Sequence, residues 1–139
     1  KQPGEPRYLA LSPYLVVKLE ALLEASNLAG YPASGLHVMS GYRTPWYNRS
    51  IGNTTDFSRH LWGGAADVFL DTDGDGYMDD LNGDGQSTIA DARILFRLAE
   101  GIDHAPPPGT RPGGLSAYRR NSVRGPFIHL DARGRSARW

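Results

Sequence analysis

Apolar residues recur at helical spacing after Ser12-Pro13, where Leu15, Val16, Leu19, Leu22 and Leu23 form one stripe and Lys18, Glu20 and Glu24 fall largely off it. Serine is a good N-cap, and proline suits the first helical position because its missing N–H would have no partner there. The pattern predicts a helix from this cap to about residues 27–30. Leu36-His37-Val38-Met39 reads as a short strand leading into Ser40-Gly41-Tyr42-Arg43. Thr44-Pro45 repeats the cap-plus-proline signal and opens a short helix that Gly52 closes. A strand is predicted over 65–70. A second long helix is predicted from Ile89 to Glu100, ending at Gly101, with Ile94, Leu95 and Leu98 facing inward. Residues 105–114 are rich in Pro and Gly and read as a loop, and Phe127 to Leu130 reads as a last strand before an Arg-rich tail. The Lys-Gln-Pro-Gly-Glu-Pro opening reads as a disordered lead-in. Helices and strands mix without a regular βαβ alternation, so the expected class is α+β.

Composition narrows the choice. A chain of 139 residues with 40% hydrophobic content is expected to form a single domain with one modest core. The net charge of zero argues against a nucleic-acid or membrane-surface footprint over the whole molecule. The charge is unevenly placed, however. Seven of the 15 acidic residues lie between Asp71 and Asp91 with no Lys or Arg among them, and seven of the 15 basic residues, all Arg, lie from Arg111 onward. The acidic block reads as a cation site. The arginines read either as a solvated face or as a surface that meets an anionic substrate. The absence of cysteine removes disulfides, thiolate zinc sites and cysteine catalysis together. No run is long enough to predict a transmembrane span. The opening lacks the charged-then-apolar pattern of a secretory leader, so a leader is expected to be absent or already removed.

Two short stretches carry candidate chemistry. Ser58-Arg59-His60-Leu61-Trp62-Gly63-Gly64-Ala65-Ala66-Asp67 offers an imidazole and a carboxylate around small residues that allow a tight turn. Phe127-Ile128-His129-Leu130-Asp131 offers a second imidazole and a carboxylate two residues on, which share one side of a strand. Two histidines and one carboxylate form a common ligand set for catalytic zinc. On a strand, Asp67 would share its face with Ala65 and Phe69, and Phe127 would wall the pocket beside His129. Asp131 would then sit near the metal or orient His129 through its other ring N–H.

Ser58-x-His60-x-x-Gly63-x-Ala65-x-Asp67 resembles the zinc signature of the D-alanyl-D-alanine carboxypeptidase type of metallopeptidase, a group with bacterial D,D-dipeptidases, phage endolysins and the hedgehog signalling domain. A branch of bacterial murein endopeptidases is closer still. Its pattern is matched by Ser40-Gly41-Tyr42-Arg43, by Gly113-Gly114 with Tyr118, by Phe127-Ile128-His129-Leu130-Asp131-Ala132-Arg133-Gly134, and by Arg138-Trp139. The matches span residues 40–139 apart from 71–112. The resemblance implies a small antiparallel sheet flanked by helices, in a hedgehog/DD-peptidase-like domain covering residues 1–139. It implies zinc on His60, Asp67 and His129, and Arg43 as partner of a substrate carboxylate or of the developing oxyanion. Ser58 and Tyr118 become substrate-binding candidates. Many relatives place Glu or His two or three residues before the last zinc histidine as general base; here those positions are Phe127 and Pro126. Asp131 is the catalytic candidate that remains, with a purely orienting role for it equally open and His104 as a further alternative. Arg133 also departs from the small polar residue expected there.

The acidic block is an insert over 71–91 with calcium-loop spacing. Asp71, Asp73, Asp75, Gly76 and Asp79 match positions 1, 3, 5, 6 and 9 of an EF-hand loop, with Tyr77 at position 7 and Asn82 rather than Glu at position 12. A second loop overlaps it: Asp80, Asn82, Asp84, Gly85 and Asp91 match positions 1, 3, 5, 6 and 12, with Gln86 at position 7. The second resembles dockerin calcium loops, and the first resembles Asp-rich calcium repeats of secreted proteins. Weak calcium affinity without a bidentate Glu suits the high calcium outside cells, so an extracytoplasmic (periplasmic, cell-envelope or secreted) protein is expected, with calcium in a structural role.

The leading expectation is a zinc peptidase hydrolysing peptidoglycan stem peptides or cross-links at D-Ala- or diaminopimelate-type amides, acting as a monomer with no nucleic-acid partner. The alternatives are a catalytically inactive zinc and calcium domain that binds cell wall or a protein, and a calcium-dependent interaction module.

Overall fold

Ser12, Thr44 and Thr88 cap the three α-helices of the described residues. In α1 (Pro13–Leu28) the Ser12 hydroxyl accepts from the Leu15 N–H at 3.3 Å, and in α2 (Pro45–Ser50) the Thr44 hydroxyl accepts from the Tyr47 N–H at 3.2 Å. In α3 (Ile89–His104) a capping box forms: the Thr88 hydroxyl accepts from the Ala90 N–H at 3.1 Å, and Asp91 Oδ2 accepts from the Thr88 N–H at 2.7 Å. Each cap satisfies backbone donors that the first helical turn leaves without partners. These elements belong to a computed structural model that describes residues 10–139, so the expected lead-in lies outside the described residues.

The strands are β1 (His37–Ser40), β2 (Ala65–Phe69), β3 (Gly114–Tyr118), β4 (Phe127–Asp131) and the two-residue β5 (Ala137–Arg138). They form one sheet in the order β1-β2-β4-β3-β5. The first four pair antiparallel, but β5 runs parallel to β3, so the sheet is mixed rather than purely antiparallel as expected. The architecture is α+β, with α1 and α3 packed together and α3 against β3 and β4. A short 3₁₀ helix, Arg59–Trp62, precedes β2 and ends at Gly63 with φ 63°. A Cβ at Gly63 would lie 2.4 Å from the Ala10 carbonyl oxygen, so both the backbone conformation and the space call for glycine there.

Residues directly opposite on antiparallel strands share a face. Ala66, Leu130 and Leu115 face the helices together with Val68 and Ile128, and all five are buried with Leu15, Leu22, Leu95 and Ile102. The opposite face carries a polar row. A register shift between Val38 and Ser40 places Ser40 opposite Asp67, Asp67 pairs with His129, and His129 pairs with Ser116. Four strands thus bring three polar residue types onto one line.

Four sequence expectations change. Lys18 is fully buried on the inner face of α1, between Leu15 and Leu22, while Val16 is 43% exposed. Lys18 turns inward because it forms an ion pair with Asp103 of α3 and its ammonium donates to the Asp131 carbonyl at 2.8 Å. Second, α3 runs through Gly101 to His104. Ile102 and Asp103 are both buried, and that anchoring outweighs the cost of about 1 kcal/mol for a helical glycine. Its buried face is Ala92, Leu95, Ala99 and Ile102, with Ile94 and Leu98 half-buried. Third, β3 follows directly on the Pro/Gly loop and alternates weakly, which hid it. Fourth, β5 is too short to leave a periodic signal.

Candidate metal centre

His60 sits in the 3₁₀ helix, Asp67 in the middle of β2 and His129 in the middle of β4, and all three are buried. His60 Nε2 lies 3.2 Å from His129 Nδ1 and 3.3 Å from Asp67 Oδ1, and His129 Nδ1 lies 2.9 Å from Asp67 Oδ1. Among the described residues these three make a group able to hold a metal ion.

The outer ring nitrogens decide which way the lone pairs point. His60 Nδ1 lies 2.7 Å from the Gly41 carbonyl oxygen, which can only accept, so Nδ1 carries the hydrogen and Nε2 turns its lone pair into the trio. His129 Nε2 faces Asp131 Oδ2 at 3.6 Å, an ion-pair separation that keeps the hydrogen on Nε2 and leaves Nδ1 for the trio. These tautomers follow from the partners. Two imidazole lone pairs and a carboxylate oxygen then converge, and that arrangement needs a cation, either a proton or a metal. Zinc bonds of about 2.0–2.1 Å in a tetrahedron set ligands roughly 3.3 Å apart, close to the separations observed. The donor set therefore fits zinc.

Asp131 is fully buried on the far side of His129 from the trio. Its oxygens accept from the Gly114 N–H at 2.9 Å, the Arg133 N–H at 3.0 Å and the Arg133 guanidinium, with Nε at 2.9 and 3.0 Å and Nη2 also paired. Burial alone would raise the Asp131 carboxyl, but His129, Arg133 and the Gly114 N–H outweigh it and hold it well below the usual carboxylate range. Such a carboxylate orients an imidazole. Burial would likewise lower His129, yet the Asp131 and Asp67 carboxylates raise it above its ordinary value. Asp67 is held low by His129 and His60 against its own burial. Both shifts favour a proton on His129 Nδ1, 2.9 Å from Asp67 Oδ1, when no metal is bound.

The trio lines a cleft of about 810 Å³. Arg43 lines it too; its guanidinium pairs with Asp67, and its Nε donates to the Ser40 hydroxyl at 2.7 Å. Ser58 lines the cleft and makes no capping bond, and Tyr118 stacks on Phe127 with ring centroids 4.8 Å apart. Asp131 does not line the cleft, and neither does His104, which is exposed at the end of α3. Arg133 and Trp139 complete the wall: the Trp139 ring lies 5.4 Å from the His129 ring, and its indole N–H donates to the Tyr118 hydroxyl at 2.9 Å. Arg133, a departure from the family pattern, grips the Asp131 carboxylate, a role that the pattern does not show.

In the acidic insert, both loops fold by one hydrogen-bond scheme. The first Asp accepts from the fourth and sixth N–H groups: Asp71 from Gly74 and Gly76, and Asp80 from Gly83 and Gly85. Positions 3 and 5 each accept from the residue two further on: Asp73 from Asp75, Asp75 from Tyr77, Asn82 from Asp84, and Asp84 from Gln86. Carboxylates of Asp71, Asp73 and Asp79 meet as a second group able to hold a metal ion, without Asp75. Asp91 is instead engaged as a cap: Oδ1 accepts from the Leu81 and Asn82 N–H groups and Oδ2 from Thr88. Met78, 2% exposed, plugs the insert into the core.

Comparisons with protein-family models, curated proteins and solved structures return no match to this chain. No helix among the described residues is long and apolar enough to cross a membrane.

Proposed function

We infer that the chain is a zinc-dependent peptidase of the D-alanyl-D-alanine carboxypeptidase type, with a hedgehog/DD-peptidase-like fold, acting outside the cytoplasm on peptidoglycan stem peptides or cross-links. The observation that carries this reading is the convergence of His60 Nε2, Asp67 Oδ1 and His129 Nδ1 within 3.3 Å of one another at the cleft, with both outer ring nitrogens committed elsewhere. Zinc on those three atoms supplies a Lewis acid that polarises an amide carbonyl and acidifies water. Asp131 and Gly41 hold the two imidazoles in register. Arg43 presents a planar fork beside Asp67, suited to a substrate carboxylate or to charge developing on the carbonyl oxygen. Tyr118 and Ser58 contact the peptide. The Asp71, Asp73 and Asp79 carboxylates take calcium, which relieves their mutual repulsion and stiffens the insert.

One observation favours a second reading, a non-catalytic zinc and calcium domain that captures cell wall or a protein partner. Apart from the trio, no carboxylate or imidazole is among the described residues that line the cleft. Digestion of purified murein with zinc-loaded protein, followed by mass spectrometry of the soluble fragments, separates the two. New muropeptides support the peptidase. Zinc bound without cleavage over a range of pH supports the binding domain.

A further inference from the structure

The chain has no net charge, yet among the described residues the charged ones lining the cleft are Arg43, Arg59, Arg124 and Arg133 against Asp67. Arg43 and Arg133 already pair with carboxylates of the chain, Asp67 and Asp131. Arg59 and Arg124 pair with no carboxylate among the described residues. Of these two, Arg124, though exposed, rests on an aromatic ring. Its guanidinium carbon lies 4.5 Å from the centroid of the Phe127 ring, and Phe127 is buried and stacked on Tyr118. Its backbone is also fixed. The Asn121 side chain accepts from the Val123 and Arg124 N–H groups at 2.9 and 3.1 Å, and the Asn121 N–H donates to the Arg124 carbonyl at 2.9 Å. A guanidinium stacked over an aromatic ring still has its donors at the edge, arranged to meet a carboxylate in two parallel hydrogen bonds. The stacked position reduces the side-chain freedom that is lost when an anion arrives, while the exposed guanidinium edge stays open to it.

We propose that Arg124 is a specificity-determining anchor for a carboxylate of the peptide substrate, at a position in the cleft separate from Arg43. The proposal rests on the peptidase reading for the nature of the ligand, a short peptide bearing a free carboxylate. Arg59, with no aromatic platform among the described residues, contributes charge without selecting the group.

The test uses the zinc-loaded full chain and two probes: an N-acetyl tripeptide ending in D-alanine with a free carboxylate, and the same peptide as its C-terminal amide. Binding is measured by calorimetry and cleavage by mass spectrometry for wild type, R124Q, R124K and R59Q. Wild type is expected to prefer the acid on the order of 10–100-fold, the range for a hydrogen-bonded charge pair. R124Q brings that preference within about 3-fold, R124K keeps part of it, and R59Q keeps nearly all of it. An acid preference unchanged in R124Q, lost in R59Q instead, or absent from wild type overturns the proposal. Acid-selective binding that R124Q abolishes, without cleavage by any form, upholds the anchor while the peptidase reading fails. Cleavage with an unchanged acid preference does the reverse.

Discussion

Replacing Asp131 by Asn separates an orienting carboxylate from a proton acceptor. The substitution keeps the shape and removes the charge at a fully buried side chain that accepts from Gly114 and from three Arg133 donor groups and faces His129. Removing one partner of a buried ion pair costs about 3–5 kcal/mol. Arg133 is 18% exposed and can turn toward water, and the Asn oxygen still accepts from Gly114, so the expected loss lies below that range, about 2–3 kcal/mol. For a domain of this size each kcal/mol shifts the melting temperature by roughly 3–5 °C, which puts the drop on the order of 10 °C. Without the carboxylate, nothing favours the hydrogen on His129 Nε2, and metal affinity falls about 10–100-fold. Competition with a chelating dye measures the affinity, and scanning calorimetry measures the melting point. With metal at saturation, the orienting role predicts that the variant regains most of its turnover. Unchanged metal affinity together with abolished turnover at saturating zinc would refute that role and make Asp131 the proton acceptor.

Asp103→Ala strands the buried Lys18 ammonium and costs about 3–5 kcal/mol in chemical denaturation, whereas Lys18→Met costs less because Asp103 keeps Arg138 and the Gly113 N–H, both at 3.1 Å. The reverse order would show that the pair does not govern the packing of α1 on α3. The metal-free protein has a stability window set by the site: the depressed Asp67 and Asp131 contribute above their ordinary value of 3.8 and lose it as pH falls through their lower folded values. The raised His129 contributes fully below its ordinary 6.5 and loses it as pH rises through its folded value, so the melting temperature should peak between about pH 4 and 6.5, and metal binding near neutrality should release protons to a pH indicator. A Cβ at Gly114 would sit 2.5 Å from Asp131 Oδ2 and 2.7 Å from Trp139 Cη2; Gly114→Ala is therefore expected to cost about 1–3 kcal/mol and to weaken metal binding in the dye assay.

The helix starts were legible because capping is local chemistry. Ser12-Pro13 and Thr44-Pro45 carry the cap and the first helical residue side by side, and both helices begin there. Lys18 misled because periodicity assigns a charged residue to solvent, whereas its partner Asp103 lies 85 residues away. β3 was hidden for a related reason: its pairing with β4 depends on tertiary contact, and its own sequence alternates weakly. The site divides in the same way. The His60, Asp67 and His129 spacing could be read from motif and strand periodicity. The grip of Arg133 on Asp131, the Gly41 carbonyl behind His60 and the seat of Arg124 on Phe127 could not, because each is a contact between side chains or backbone atoms that no local pattern encodes.

The most direct test of the metal centre is elemental analysis of the purified protein after dialysis against zinc in calcium-containing buffer, with wild type, His60→Ala and His129→Ala side by side. One equivalent of zinc on wild type, with none on either variant, is the predicted result. Wild-type protein that retains no zinc, or variants that retain as much as wild type, would contradict a metal held by His60, Asp67 and His129.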